Sequence, residues 1–370
     1  MCAFALLWVK VLFWWLPMKG HSGSWIEQMK TKNFYILVIF IAVTSVSLWM
    51  VSYPSPRFKN IMTTTQNNIR KIPKHMQLTT AQQLEVDSSY LEVLGFEDSS
   101  NVIVSNVKLI VGSAMIPGKE EETKEFLKAT RKHVPTRKVV LFDMGLSSSN
   151  MIITKKLCNE TTNCSVRPFL FKKYPSHVQD LSIRSYKPIC IQELLNEFGA
   201  VIWADTSEYF LTSKMNHSLV QALNVGLVAW TIKDPTSSLT HPKMFDYFKT
   251  KQDRYYFHRA VRSSHLIIYN TEKIHKELML PWVKCALVEE CISPTGAQNS
   301  GCNWRKPYYR YSGCHWFDMS ALNVILGIMF DFDVSGYSGT ENIFGTKYDL
   351  GVFGGKNVTG STIRLEHRIY

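Results

Sequence analysis

The stretch "VIWADTSEYF", residues 201–210, decides how the chain is read. Four apolar residues, Val201 to Ala204, suit a strand buried on both faces, and the run stops at an aspartate. An aspartate in that place either lines a ligand site at the lip of a sheet or opens a helix. Asp205 followed three residues later by Glu208 also has the spacing of a capping box. The surrounding sequence has to decide between the two.

On either side of this stretch, strand-like runs alternate with helical ones. "VKLIVGSAM" reads as a strand, and "GKEEETKEFLKATRKHV" as an amphipathic helix, acidic where it starts and basic where it ends. "RKVVLFDMGLSSSN" is a strand over residues 139–142 that runs into a polar turn, and "SVRPFLF" is a further strand. "KPICIQELLNEFG" is a helix stopped by Gly199 and leads directly into the opening stretch. "HSLVQALNVG", closed by Gly226, precedes the strands "LVAWTI" and "SHLIIYNT". This alternation gives an α/β fold with a mostly parallel sheet flanked by helices. Ligands of such sheets collect beyond the carboxyl ends of the strands, where Asp205 and Asp143 both fall.

The globular texture begins near residue 101. Before it, residues 34–53, "FYILVIFIAVTSVSLWMVSY", carry no charge and would reach about 30 Å as a helix, enough to cross a bilayer. The reading is a single membrane-spanning signal-anchor at 34–53, with a cytosolic N-terminus at 1–33. A solvated stalk at 54–100 and a lumenal domain at 101–370 follow. Met29 opens "MKTKN" directly before the span and has the form of an alternative start, in which case residues 1–28 are not in the product. The apolar stretch of residues 1–20 fits a signal peptide, a second span or such an upstream extension.

Lysines and arginines flank the span on both sides and do not orient it. Other features place the C-terminal part outside the cytosol. Sequons stand at Asn159, Asn163, Asn216 and Asn357, all beyond the span. Seven of the eight cysteines lie there too, and their irregular spacing without a C-x-x-C pair favours disulfides over zinc. Cys158 and Cys164 form one candidate pair. Cys285, Cys291, Cys302 and Cys314 allow three pairings, and Cys190 is left free. The protein is therefore expected in the Golgi or endoplasmic reticulum membrane facing the lumen, with the cell surface as the alternative. The net charge of +12 is dispersed, without like-charge blocks, so no nucleic acid partner is expected.

Three acidic positions carry candidate chemistry. Asp143 heads D-M-G, with Gly145 and Ser147 following, an arrangement that suits a nucleotide edge, the first motif of a methyltransferase, or an aspartate satisfying turn amides. Asp205 heads D-T-S. Enzymes that transfer sugars from nucleotide diphosphates often carry D-x-D at such an edge, its carboxylates holding a divalent cation. Ser207 replaces the second carboxylate here, which makes Asp205 and Ser207 a poorer site for Mn2+. The third position lies in "SGCHWFDMSALNVILGIMF", where Asp318 reads as a helix N-cap with Leu322, Ile325 and Leu326 facing the core, and His315 is a candidate base or hydrogen-bond donor to a phosphate.

The ordered set "VVLFDMGLS", "KPICIQELL", "VIWADTS", "HPKMFDYF", "WVKCALVEECISPTGAQ" and "GCHWFDMSALNVIL" resembles domain of unknown function 1647, an animal family abundant in nematodes. The resemblance covers roughly residues 105–335 and implies a secretory-pathway protein of the architecture of GT-A-fold, nucleotide-sugar glycosyltransferases. The family's last motif usually reads C-H-R-Y-D-Q-S-A-L-N. Trp316, Phe317 and Met319 depart from it here, while His315, Asp318, Ser320, Ala321, Leu322 and Asn323 agree.

Three functions follow. The first is a type II membrane glycosyltransferase that uses a nucleotide-sugar and a glycan or protein acceptor. Asp205 would orient the donor, directly or through a cation, Asp143 and its serines would contact the nucleotide, and Asp318 would face the sugar or acceptor. The second is a non-catalytic lumenal or cell-surface binding protein that keeps the fold. The third is a methyltransferase.

Overall fold

In the computed structural model, residues 38–46, 85–97, 106–304 and 307–346 are described. The chain divides into two compact units, Met1–Leu78 and Thr79–Tyr370. In the first, residues 38–46 are helical. Among the described residues no helix is long and apolar enough to cross a membrane, and the rest of the expected span at 34–53 lies outside them. So do residues 1–28, the sequon at Asn357 and most of the expected stalk.

The second unit is built on a six-stranded sheet of spatial order β3-β2-β1-β4-β7-β6. Its strands are β1 Lys108–Met115, β2 Val139–Asp143, β3 Cys164–Pro168, β4 Gly199–Ala204, β6 Leu227–Pro235 and β7 Arg259–Tyr269. β3, β2, β1 and β4 are mutually parallel. β7 runs antiparallel to both β4 and β6, so one strand of the six is reversed. A two-stranded antiparallel sheet joins β5 Tyr209–Phe210 to β8 Phe344–Gly345.

Both faces of the central part of the main sheet are covered, which is why β1, β2 and β4 read as near-continuous apolar runs. Val140 and Phe142 of β2 enter one core, while Val139 and Leu141 enter the other. The first core is shared with α4 Tyr186–Phe198, α8 Leu280–Leu287 and α10 Asp318–Met329. The second lies under α2 Glu120–His133 and α5 Asn216–Val225. The short helices α6 Thr236–Leu239, α7 Pro242–Tyr247 and α9 Glu289–Ile292 lie between α5 and α10 in the chain. α4 lies so close to β1 that a Cβ on Gly112 would stand 2.5 Å from Leu194 Cδ1. The same helix ends at Gly199, whose φ of 78° is the left-handed C-cap geometry that glycine adopts without steric cost.

Two further segments differ from the sequence expectation. The serine run after Asp143 is not only a turn: Ser147 caps a helix, α3 Ser148–Leu157. Within the stretch read as stalk, a short helix, α1 Ser88–Val93, is anchored on the domain. Leu94 beyond it is buried, and its carbonyl accepts hydrogen bonds from Asn196 Nδ2 at 2.9 Å and Gln192 Nε2 at 3.3 Å. Leu91 and Leu94 are buried in the core, and Val86, Tyr90 and Phe96 pack against it from the same segment.

Candidate functional site

β1, β2 and β4 point their carboxyl ends to one edge of the sheet, and α4 returns to that edge with its N-terminus, as the helix of a parallel crossover must. Asp205 follows the last residue of β4, and its amide donates to Ser264 O of β7 at 2.7 Å. No helix begins there. Glu208 N donates to Asp205 O at 2.9 Å in a tight turn that leads into β5, and the carboxyl group caps nothing. It reaches back instead. Its Oδ1 accepts from Trp203 Nε1 at 2.9 Å, from a residue two positions earlier on the same face of the strand.

The other oxygen, Oδ2, lies 3.0 Å from Lys187 Nζ and 3.5 Å from Arg184 Nη1. Lys187 bridges to a second carboxylate, for its Nζ is also 3.1 Å from Asp318 Oδ2. Two aspartates 113 positions apart thus share one ammonium (318 − 205). The side chains of Lys187 and Asp318 are 0% and 2% exposed, and that of Asp205 is 15% exposed. Ser263 completes the surroundings of Nζ, with its carbonyl at 3.3 Å and its hydroxyl at 3.4 Å. The contact to Asp318 is an ion pair whose angle is not that of a hydrogen bond, since an ammonium has three protons for these four oxygens. Burial, reinforced by the Asp205 carboxylate, pushes the neighbouring Tyr186 phenol well above its ordinary range.

Asp318 is not the cap of α10 but its first residue, and Phe317 stands at the cap position with φ 44° and ψ −109°. That torsion is rare for a residue with a Cβ and costs on the order of 1–3 kcal/mol, so the surroundings must enforce it. They do so densely. Trp282 Nε1 donates to Asp318 O at 3.0 Å, and Trp316 N donates to Ser320 Oγ, which donates on to Leu239 O. Asn323 exchanges hydrogen bonds with both main-chain groups of Val261 on β7. His315 is fully buried. Its Nδ1 accepts from His241 N at 3.0 Å, its Nε2 lies 3.0 Å from Ile292 O, and burial lowers its pKa to about 3. The imidazole is therefore neutral, with both nitrogens engaged by main chain.

Asp143 behaves differently. Its Oδ1 accepts from Gly145 N at 2.9 Å and Leu146 N at 2.8 Å, the turn-satisfying arrangement. Ser147 is the N-cap of α3 and accepts from Asn150 N. Through β1, which separates β2 from β4, Asp143 and Asp205 stand two strand spacings apart, about 10 Å along the same edge. The structure therefore brings Asp205 and Asp318 into one cluster, sets Asp143, Gly145 and Ser147 beside it, and leaves Ser207 half-buried in the turn after Asp205.

Lys187 and Arg184 are the site residues that sequence reading passed over. Lys187 is the one charge between Tyr186 and Gln192, in the otherwise apolar N-terminal part of the helix. A cation at that end opposes the helix dipole, and that misfit is the signal that would have found it. A second buried polar group backs the turn. Glu208 accepts from Ser264 Oγ at 2.9 Å and lies 3.5 Å from His265 Nδ1. Burial alone would raise this carboxyl, but His265, Arg262 and Ser264 together hold it down to about 2.

The donors around Asp205 do not fit a divalent cation. Both of its oxygens are engaged by N–H donors, and the two carboxylates are balanced in formal charge by Lys187 and Arg184. Among the described residues no group of three or more His, Cys, Asp or Glu side chains is placed to hold a metal ion.

The cysteines pair as Cys158–Cys164, Cys285–Cys291 and Cys302–Cys314, and Cys190 is free and buried. The third bridge ends directly before His315 and closes the loop that delivers Asp318. Of the sequons, Asn163 and Asn216 are exposed, whereas the Asn159 amide is engaged with Thr162 N and Lys156 O.

Residues 51–192 match the protein family DUF1647, described as a protein of unknown function. The matched stretch includes β1, β2, β3, Asp143 and Lys187 and ends before Asp205 and Asp318. No curated protein matches the chain in sequence. Similar solved structures include the bifunctional glycosyltransferase WbbM, at 11% identity and a TM-score of 0.39 over 60% of this chain and 38% of that one. Mouse xyloside xylosyltransferase 1 is 10% identical at a TM-score of 0.38, over 63% and 85% of the two chains. The galactosyltransferase LgtC, solved with donor and acceptor sugar analogues, is 12% identical at 0.34, over 58% and 69%. Likenesses at these scores fix neither a reaction nor a substrate.

Proposed function

We propose that the protein is a glycosyltransferase of GT-A-like architecture that takes a nucleotide-sugar donor and a glycan or protein acceptor. It would be held by a single span at 34–53, with its globular domain in the lumen of the Golgi or endoplasmic reticulum. The observation that carries the reading is the convergence of Asp205 and Asp318 on Lys187 at the carboxyl edge of an open, mostly parallel sheet. Ligands of such sheets bind there, and the Asp143 turn and the N-terminus of α3 lie along the same edge. Asp205, the more exposed carboxylate, would face the donor, and Arg184 beside it supplies a guanidinium suited to a phosphate. Asp318 would act from behind it, with His315 holding the segment that carries it. The three disulfides and the exposed sequons support an oxidising compartment.

The full chain, purified and offered a panel of UDP- and GDP-sugars, is expected to hydrolyse or transfer from at least one. Asp205→Asn should lower kcat/KM about a hundredfold, the loss typical of a removed transition-state contact. Silence across the panel together with no binding of UDP or GDP would end the proposal. A second reading, a non-catalytic binding protein that keeps the fold, is favoured by the charge balance at the site and by the burial of Asp318. It expects nucleotide or glycan binding without turnover.

A further inference from the structure

We infer that the Lys187 ammonium is a built-in replacement for a divalent cation, and that the oxygens around it form a latent metal site which the lysine keeps closed. The donor set is the first argument. Nζ is surrounded by Asp205 Oδ2 at 3.0 Å, Asp318 Oδ2 at 3.1 Å, Ser263 O at 3.3 Å and Ser263 Oγ at 3.4 Å. Two carboxylates, a main-chain carbonyl and a hydroxyl are the ligand types that hard cations take. They come from the turn after β4, from β7 and from α10, three separate parts of the chain. Arg184 balances the second charge from 3.5 Å, yet both carboxylates are turned onto the one point that Nζ occupies.

The second argument is that the lysine is poorly placed on every other ground. It lies in the first turn of α4, where the helix dipole repels a cation, and it is 0% exposed. Asp318 Oδ2 is buried with no hydrogen bond of its own, so the ammonium serves this oxygen by charge alone. A spherical cation would serve all four oxygens equally, whereas an ammonium with three protons does not. The missing second carboxylate of D-T-S is explained by the same geometry. With Lys187 providing the positive charge, Ser207 has no ion to hold. If the proposed sugar transfer is correct, it follows that the donor is bound without a metal. The cation-site inference itself stands whether or not the reaction does.

The test uses Mn2+ alone with the full chain. In wild type, Mn2+ should not raise Tm, and calorimetry should detect no binding that Asp205→Asn abolishes. Lys187→Met keeps the apolar stem and vacates the place of the ammonium. This variant should bind Mn2+ at least about tenfold more tightly than wild type does and regain Tm on its addition. Asp318→Asn added to Lys187→Met should remove that gain, and Lys187→Arg should remain indifferent to Mn2+. Asp205-dependent binding of Mn2+ to wild type would overturn the inference, and this arm decides even if Lys187→Met does not fold. A folded Lys187→Met that ignores Mn2+ would equally overturn it. No nucleotide-sugar enters these measurements, so their failure is separable from a silent donor panel.

Discussion

Two strand ends at the same sheet edge carry an aspartate, and they use it in opposite ways. At the end of β2, Asp143 accepts from amides two and three residues ahead of it. After β4, Asp205 is held by Trp203 on its own strand but also by Lys187 and Arg184, 18 and 21 positions earlier, and through Lys187 it is coupled to Asp318. The first is a local solution that any turn can make. The second gathers buried charge from three separate elements, and buried charge is retained only where every partner is present. A site is thus marked less by an acidic residue at a strand end than by the distance in sequence its partners have travelled.

The contrast is open to breakage, and the largest effect should come from its centre. Lys187→Met removes the shared counter-ion of two carboxylates, one of them 2% exposed, and should cost about 3–5 kcal/mol in denaturant unfolding measured without metal. A loss under about 1 kcal/mol would mean that the cluster is as loosely held as Asp143.

Next in size is Glu208, which backs the Asp205 turn. Its folded pKa, about 2, lies below the ordinary value of 4.5. A depressed carboxyl contributes stability that is fully present above the unfolded pKa and is lost as pH falls from about 4.5 to about 2. Stability should fall on the order of 3 kcal/mol across that window relative to Glu208→Gln, in urea titrations at each pH. Parallel curves for the two proteins would show that Glu208 is not held as described.

Gly112→Ala tests the packing that sets α4 against the sheet. The new methyl would meet Leu194 Cδ1, and a loss of about 1–3 kcal/mol in thermal unfolding is expected. Because α4 carries Lys187, Arg184 just ahead of it should shift relative to Asp205 as well.

The smallest effect belongs to Asp143→Asn. A carboxamide oxygen accepts the same two amides, so stability should change by less than about 0.5 kcal/mol, whereas Asp143→Ala should cost about 1 kcal/mol. If Asp143→Asn were instead as damaging as Lys187→Met, the two strand ends would not differ in kind.

Much of the sheet was legible because both its faces are buried: β1, β2, β4 and the last four residues of β7 are written as apolar runs, and Gly199 and Gly226 end their helices in the left-handed conformation. The reversal of β7 was not legible, since a strand buried on both faces reads the same in either direction. Asp205 and Asp318 could be singled out, but the cap geometries expected of them were displaced by a partner from another element. Asp205→Glu208 has the spacing of a capping box, yet β5 pairs with β8 more than a hundred residues away and turns the segment into a strand. The clamps by His315, Ser320 and Asn323 are equally invisible in sequence, because each holds main chain from a distant loop or strand.

The register of α10 sets the direction of the Asp318 carboxylate. The positive φ at Phe317 stops α10 from starting one residue earlier. Side chains on a helix advance about 100° around the axis per residue. A one-residue shift in the register of the whole helix would therefore swing this acid away from the ammonium and present a neighbouring side chain in its stead. The azimuth of one carboxyl group, and with it the pairing of two distant parts of the chain, thus follows from the register at which Asn323 fastens the helix to Val261.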